Sequence, residues 1–394
     1  MRDKIVFIVA LVISIFYIFI GNKIAMHNNQ FFKNNEKYDY PSAKITRIIE
    51  RKETPLEIDG LQNQQNVDIT FEARITSGKH KGDLIIGIQN ISTYITGTVK
   101  EVEPGDKVLV YNDISTLNKS SWYFVEYSRI NPLIILVTIF IGLILFFGRS
   151  KGIKTIIALI VTVLSIFAVL IPAILGGQNI YAWTIVTCAF ITFTTVLLVY
   201  GCSRKTLTTA LGCIGGVLVA GLLTLIMDGV LKLTGYVDEN SIYLKQLNMA
   251  IDLKAIIFAG ILIGAVGAIM DVSIDIASSL SEVSSKMEKP SFGEIVKSGF
   301  NIGKDIMGTM TNTLILAYIG SSLSIVLLLT SSSHSLVYLF NLEMITVEIL
   351  QAVVGSIGIL TTIPLTSIIA AGLYTYSETK NTYAYKGKFS QTNK

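Results

Sequence analysis

Charged residues are scarce in this sequence. Asp, Glu, Lys and Arg make up 15% of its 394 residues, whereas a soluble globular domain carries about 25%. Hydrophobic residues make up 51% and recur in long runs with few charges. This composition excludes an ordinary soluble protein and predicts a protein that crosses a lipid bilayer several times.

Cysteines and enzyme motifs are scarce as well. The three cysteines, Cys188, Cys202 and Cys213, lie in or beside apolar runs without a CxxC pair, which indicates buried free thiols rather than a redox site. HExxH and G-x-S-x-G are absent, and the stretch 298–305 lacks the Walker A spacing. We therefore expect no enzyme, no catalytic residues, no cofactor, no metal and no built-in ATP motor.

Residues 1–21 predict a signal-anchor helix. A basic start precedes the apolar run Ile5–Ile20, and no small-x-small cleavage site follows it. A cleaved signal peptide is the alternative.

Residues 22–131 are polar and predict a separate β domain behind an Asn- and Lys-rich linker. Short alternating segments separated by turns indicate about five or six strands, which predicts a small antiparallel OB-like barrel or sandwich. The domain would either capture a ligand or serve as a scaffold; without a basic aromatic face, no nucleic acid is expected as partner. The segments are Ala43–Ile49, Val67–Ile75, Asp83–Ile88, Val108–Tyr111 and Trp122–Tyr127.

Seven further apolar runs predict a seven-helix membrane domain at residues 132–378, followed by a tail at 379–394. With the signal-anchor they predict an α-helical polytopic protein of about eight transmembrane helices. The runs are Pro132–Phe147, Thr155–Leu175, Tyr181–Tyr200, Thr206–Met227, Ala255–Leu280, Ile306–Thr330 and Met344–Tyr376.

Basic residues are distributed unevenly among the loops. Lys and Arg collect at 149–154, 204–205 and 286–304, whereas the loops 176–180 and 331–343 have none. The positive-inside rule then places both termini in the cytoplasm of a bacterial cell, with the β domain outside its plasma membrane.

The run at 255–280 becomes acidic without losing its helical pattern. Gly260, Gly264 and Ala268 recur every four residues, so they share one face, which predicts close helix packing in a bilayer. That face continues through Asp271, Asp275 and Glu282. Carboxylates at membrane depth are costly and indicate an ion or substrate path.

A second polar stripe follows in the next predicted span. Asp305, Thr309 and Asn312 fall on one helical face with Leu316. Facing the acids across a hairpin at residues 255–330, they would form a polar cavity suited to a proton or a hard cation.

Simpler interpretations of these residues remain open. The acids could end a helix at the membrane interface, Asp305 could be a helix N-terminal charge, and Asn312 could be an interhelical hydrogen bond. An aspartyl protease would need two facing aspartates, but the flanking sequence does not resemble that class.

Two further patterns concern helix packing. Gly212, Gly216 and Ala220 form a second small-residue face. Thr361, Thr362 and Pro364 mark either a broken helix, as in transporters, or polar residues tolerated in an ordinary span. The sequence leaves open whether the small faces pack within one chain or in a homo-oligomer.

The runs Gly264–Glu282 and Gly303–Gly320 resemble the signature of YibE/F-like membrane proteins, and the resemblance covers most of the chain from about Gly97. It implies a signal-anchor, an extracytoplasmic β domain and a multi-span block. Members are described as predicted permeases or efflux proteins, so the resemblance implies transport without supplying a substrate. We therefore expect a secondary permease for an unknown solute, with a non-transporting scaffold that recruits a partner as the alternative.

Overall fold

The computed structural model describes residues 2–26, 39–55, 65–92, 100–113, 121–247, 251–288, 291–331 and 335–391. The chain forms two compact units. One is Asn34–Leu143, and the other combines Met1–Lys33 with Ile144–Lys394. The predicted linker and part of the strand connections lie outside the described residues.

The smaller unit contains a closed five-stranded barrel with the strand order β1-β2-β3-β5-β4. All five predicted segments are strands, and the sandwich is excluded. The prediction of a purely antiparallel sheet is wrong at one pairing, because β3 and β5 run parallel, with Gly87 beside Trp122. The strands are β1 Ser42–Pro55, β2 Gln65–Ile75, β3 Leu84–Ser92, β4 Lys107–Asp113 and β5 Ser121–Tyr127.

Alternation along the strands fills the barrel. Phe71, Ile69 and Val108 are fully buried on its inner side. The ring of Phe71 lies across Gly87, where an added Cβ would come 2.5 Å from the Phe71 Cζ. A glycine is needed there because the strand and the ring approach each other too closely for a side chain.

The larger unit is helical. Within the described residues, six helical stretches are long and apolar enough to cross a membrane: Ile5–Met26, Ile130–Leu175, Ile180–Tyr200, Arg204–Leu231, Leu253–Lys286 and Glu343–Thr375. The helices are α1 Arg2–Met26, α2 Ile130–Ser165, α3 Ile171–Leu175, α4 Ile180–Tyr200, α5 Arg204–Leu231, α6 Glu239–Leu247, α7 Leu253–Lys286, α8 Phe292–Ser321, α9 Leu323–Ser331, α10 Leu336–Asn341 and α11 Glu343–Gln391, and a π-helical turn, Ile166–Leu170, joins α2 to α3.

The stretch Ile130–Leu175 contains two of the predicted spans and a sharp bend. Arg149 has φ 46° and ψ −123°, which no helix contains. An added Cβ on Gly152 would overlap the carbonyl oxygen of Ile144, although a straight helix would separate these positions by about 12 Å. The chain therefore turns back on itself between the two predicted spans.

The predicted span Ile306–Thr330 is not among the six. Its helix, α8, begins earlier, at Phe292, where Ser291 and Glu294 form a capping box. It carries Lys297, Lys304 and Asp305 on exposed positions, so it is more polar than the six apolar stretches, and it ends at Ser321.

The stretch 286–304, counted among the basic loops in the sequence, is helical from Phe292 onward, so this part of the loop prediction is wrong. Gly299 and Gly303 lie inside α8, where they let the helix approach α11. An added Cβ would come 2.7 Å from Ser367 Cβ at Gly299 and 3.2 Å from Ile363 Cβ at Gly303. The close packing outweighs the low helix propensity of glycine.

The core of the larger unit lies where α5, α7 and α11 meet. Ile261, Ile269 and Ile276 of α7 are completely buried there. Gly212 and Gly216 of α5 allow α11 to pack closely against α5. An added Cβ at these glycines would overlap the Thr366 and Thr362 hydroxyls of α11, respectively. Close approach through small residues is how helices associate in a bilayer, where the hydrophobic effect contributes little between them.

We predict that Gly216→Ala lowers the melting temperature of the purified protein, whereas Gly229→Ala on the same helix does not. The methyl group at Gly216 would meet Thr362 and come 3.1 Å from the carbonyl oxygen of Gly358, but nothing lies within 4 Å at Gly229. Overpacking costs about 1–3 kcal/mol, whereas Ala is about 1 kcal/mol better than Gly in an exposed helix. Equal melting temperatures for the two variants would contradict this account of the core.

Candidate functional site

One face of α7 is exposed along most of its length. From Gly260 to Asp275 the exposed residues recur every three or four positions, and Glu282 follows two turns later, so they share one side of the helix. The opposite side is buried in the core, as at Val272 and Ile276. The set, called the open face of α7 below, is Gly260, Gly264, Gly267, Asp271, Asp275 and Glu282.

Asp271 and Asp275 lie where α7 passes the connection between α4 and α5. The two carboxylates interact electrostatically with each other and with Tyr200 at the end of α4. Asp275 also interacts with the positive charge of Lys205. The Lys205 Nζ lies 4.7 Å from the centroid of the Tyr200 ring, a cation–π contact that helps to orient it.

This group has the chemistry of a proton or cation site. Two carboxylates one helical turn apart repel each other when both are ionised, so uptake of a proton or a cation relieves the pair. The lysine offsets part of their negative charge. Asp271 lies about 27 Å along the helix from Leu253 at 1.5 Å per residue, near the far limit of a hydrocarbon core that is about 30 Å thick.

The predicted second stripe lies on an exposed side of α8. Asp305, Thr309 and Asn312 are exposed on α8, and the Thr309 hydroxyl donates to the Ile306 carbonyl of its own helix at 2.9 Å. Among the described residues, no hydrogen bond or ion pair joins this stripe to Asp271. The interpretation of Asp305 as a helix N-terminal charge is wrong, because α8 begins well before it.

Glu282 belongs to the surface and not to the acid pair. Its carboxylate accepts a hydrogen bond from Lys286 Nζ at 2.7 Å, and both side chains are exposed. Such an i,i+4 pair is common on helices and contributes little to stability.

The predicted packing face of α7 is not approached by another backbone. Gly260 has only the Gln351 amide nitrogen near an added Cβ, at 4.0 Å, and Gly267 has nothing within 4 Å. Gly264 is covered by the hydroxyl of Tyr318 from α8, and Ala268 is partly buried against the core. The close helix contacts that this pattern predicts occur instead at Gly212 and Gly216.

Tyr318 connects the open face of α7 to a cavity. The cavity has a volume of about 460 Å³ and is lined by α8, α9, α10 and α11. Its walls are mostly aliphatic and aromatic, and Glu348 of α11 contributes the only ionisable carboxylate among the lining residues that the structure describes. Volume and lining fit a site for a small organic molecule.

The predicted helix break at Thr361, Thr362 and Pro364 is not observed, because α11 continues through Pro364. The Thr361 and Thr362 hydroxyls donate to the carbonyls of Ile357 and Gly358 at 2.9 and 2.8 Å. Side-chain hydrogen bonds of this kind allow proline within a membrane helix.

The buried hydroxyl of Ser273 joins the three core helices α5, α7 and α11. The Ser273 hydroxyl of α7 donates to the Thr209 carbonyl of α5 at 2.9 Å and lies 3.0 Å from the Thr366 hydroxyl of α11. Ser273 is on the buried side of α7, so this group is structural and separate from the acids.

Metal ligands do not gather in the part of the chain that the structure describes. No three His, Cys, Asp or Glu residues come together there in a metal-binding group.

Comparison with families of known proteins gives one match for the helical unit. Residues 136–376, more than half of the 394-residue chain, match the family described as YibE/F-like protein. The chain belongs to the YibE/F-like family. The match covers α7, α8 and most of α11, and therefore both the acid pair and the cavity, but it supplies no transport activity or substrate. Comparison with curated proteins gave no match, and neither did comparison with solved structures.

Four residues of this YibE/F-like protein were missed by the sequence reasoning: Tyr200, Lys205, Tyr318 and Glu348. Lys205 was counted only as a basic loop residue. The carboxyl group of Glu348 lies inside an otherwise apolar run. A carboxylate in such a run is the signal that identified Asp271. Glu348 was overlooked because the whole run was interpreted as a transmembrane span. Nothing in the sequence links Tyr318 to Gly264.

Proposed function

We propose that this protein is a secondary permease, driven by a proton or cation gradient, for a solute that enters the cavity beside Tyr318. Asp271 and Asp275 bind the coupling ion, with Lys205 as their counter-charge. The α8 stripe of Asp305, Thr309 and Asn312 is not required by this proposal.

The observation that carries the proposal is the continuity between the acids and the cavity. Asp271 and Gly264 lie on the same open face of α7, about 10 Å apart along the helix. The hydroxyl of Tyr318, a residue that lines the cavity, covers Gly264. Gly267 lies between the two sites on this face, and nothing is within 4 Å of a Cβ added to it. This arrangement supports a path between a cation at the acids and a solute in the cavity.

The charge distribution supports an orientation. The acids, Lys205 and the other basic loop residues lie toward one side, which the positive-inside rule assigns to the cytoplasm. Both termini would then be cytoplasmic in a bacterial plasma membrane, with the barrel outside. In this orientation the stretch Ile130–Leu175 crosses twice and α8 crosses once, which gives the even number of crossings that two cytoplasmic termini require. The coupling site would face the cytoplasm, and the cavity would lie nearer the outer surface.

We predict that proteoliposomes containing the protein carry a current under an imposed proton or sodium gradient with a solute panel. Asp271→Asn with Asp275→Asn should abolish the gradient-dependent part, because the amides cannot take up a proton or pair with a cation. Asp305→Asn makes the same chemical change on α8 and should leave the current intact, as should Asn312→Ala.

Two results would contradict the proposal. One is a current that the double variant retains in full. The other is no current from wild-type protein that melts cooperatively. Loss of current in the Asp305→Asn variant would instead bring the α8 stripe into the ion path.

A second candidate function rests on the barrel. Its closed five-stranded topology, with β3 parallel to β5, supports an OB-type barrel, a class that binds oligonucleotides and oligosaccharides. In this function the helices form a scaffold and the barrel recruits an envelope ligand or a partner. Deleting residues 40–128 discriminates the two: a permease keeps part of its flux, whereas a binding module loses its activity.

The charges on the barrel limit what such a ligand could be. Arg47 and Arg51 of β1 form ion pairs with Glu72 and Glu101, at 2.9 and 2.8 Å. The hydrogen bonds of these guanidinium groups hold the pKa values of Glu72 and Glu101 below the usual range for glutamate. Both arginines are thus occupied by carboxylates, which disfavours a polyanionic ligand on this strand.

A further inference from the structure

Two polar groups in the cavity lack partners. Among the described residues, no cation lies within ion-pair distance of the Glu348 carboxylate, which is half-buried. The Tyr318 hydroxyl is buried without a hydrogen-bond partner, and it interacts electrostatically with Glu348. Both residues line the same cavity.

The remaining polar groups of the cavity are satisfied within their own helices. The Ser322 hydroxyl donates to the Tyr318 carbonyl at 3.0 Å, and the Thr330 hydroxyl donates to the Val326 carbonyl at 2.6 Å. The cavity therefore offers a ligand one carboxylate and extensive apolar walls, while the Tyr318 hydroxyl lies buried against Gly264.

This combination selects a narrow class of ligand. An uncompensated carboxylate within a membrane segment is unfavourable, so a bound positive charge is favoured. A single carboxylate matches a single charge, and the apolar walls match an apolar body. Anions would be repelled, and sugars would leave most of their hydroxyl groups without partners.

We propose that the cavity is a binding site for monovalent organic cations with an apolar body, taken from solution, in which Glu348 pairs with the positive charge and Tyr318 forms part of the wall beside it. The inference rests on the proposed function, since it names the substrate class of the same permease. It goes further in assigning the recognition of charge to α11 and not to the acid pair of α7.

The test uses two probes of equal size and opposite charge. Tetraphenylphosphonium and tetraphenylborate are titrated against the full-length protein in lipid nanodiscs, with empty nanodiscs as the background. We expect saturable binding of the phosphonium and none of the borate. Glu348→Gln should weaken phosphonium binding roughly tenfold or more, the usual effect of losing a charged partner.

Control variants separate charge recognition from a loss of structure. Glu348→Asp keeps the charge and should retain most of the affinity. Glu288→Gln makes the same chemical change at an exposed position outside the cavity and should bind like the wild type. Ala352→Phe should weaken binding by filling the cavity with an aromatic ring, while Glu348 stays in place.

Three outcomes would overturn the proposal. Equal binding of both probes would show an apolar site without charge selection. Unchanged phosphonium affinity in the Glu348→Gln variant would remove the carboxylate from recognition. A phospholipid that copurifies with wild type, excludes the phosphonium and is lost in the Glu348→Gln variant would make the cavity a lipid site.

The result can be separated from the fate of the permease proposal. Asp271→Asn with Asp275→Asn changes no residue of the cavity, so it should bind phosphonium like the wild type even when it carries no current. Binding without flux in the wild type would keep the cation site and reject transport. Flux without phosphonium binding would keep transport and reject the cation site.

Discussion

Close contact between α5, α7 and α11 is the constraint on which the helical unit depends. Gly212 and Gly216 let the Thr366 and Thr362 hydroxyls of α11 reach the surface of α5, and Ser273 bonds across the same junction. In a bilayer, where apolar surface alone gives no net driving force between helices, this close approach and these hydrogen bonds provide the association energy. One side of α7 is fixed as a result.

The open face of α7 follows from that packing. Most of the large aliphatic residues of α7 are buried in the core, so its other side carries glycines and carboxylates. Among the contacts that the described residues make with the glycines of this side, the closest is that of the Tyr318 hydroxyl at Gly264. The two sides of α7 therefore have different roles. Its buried side holds the fold together, and its open side connects the acid pair, near Lys205, to the cavity that contains Glu348.

Most of the architecture could be predicted from the sequence, because strand alternation and long apolar runs are local patterns. The barrel strands and the multi-span block were predicted from such patterns. The start of α8 was not: Gly299 and Gly303 indicate a loop by propensity, and only their contact with α11 makes them helical. Likewise, the pattern at Gly260, Gly264 and Ala268 predicts close packing, but whether another helix fills a small-residue face depends on the tertiary structure. Asp271 and Asp275 could be predicted because carboxylates at membrane depth are energetically costly. Their neighbours Tyr200 and Lys205 could not, because they lie far away in the sequence and only the tertiary structure brings them close.

The most direct test of this account is the accessibility of α7 to water along its two sides. Single cysteines are placed at Gly267, Asp271 and Asp275, and at Ala265, Val272 and Ile276, in a Cys202→Ser background; Cys188 and Cys213 are buried. An impermeant cationic methanethiosulfonate should label the first three variants and not the other three. Labelling of neither set, or of both sets equally, would contradict a water-accessible open face and the transport path built on it.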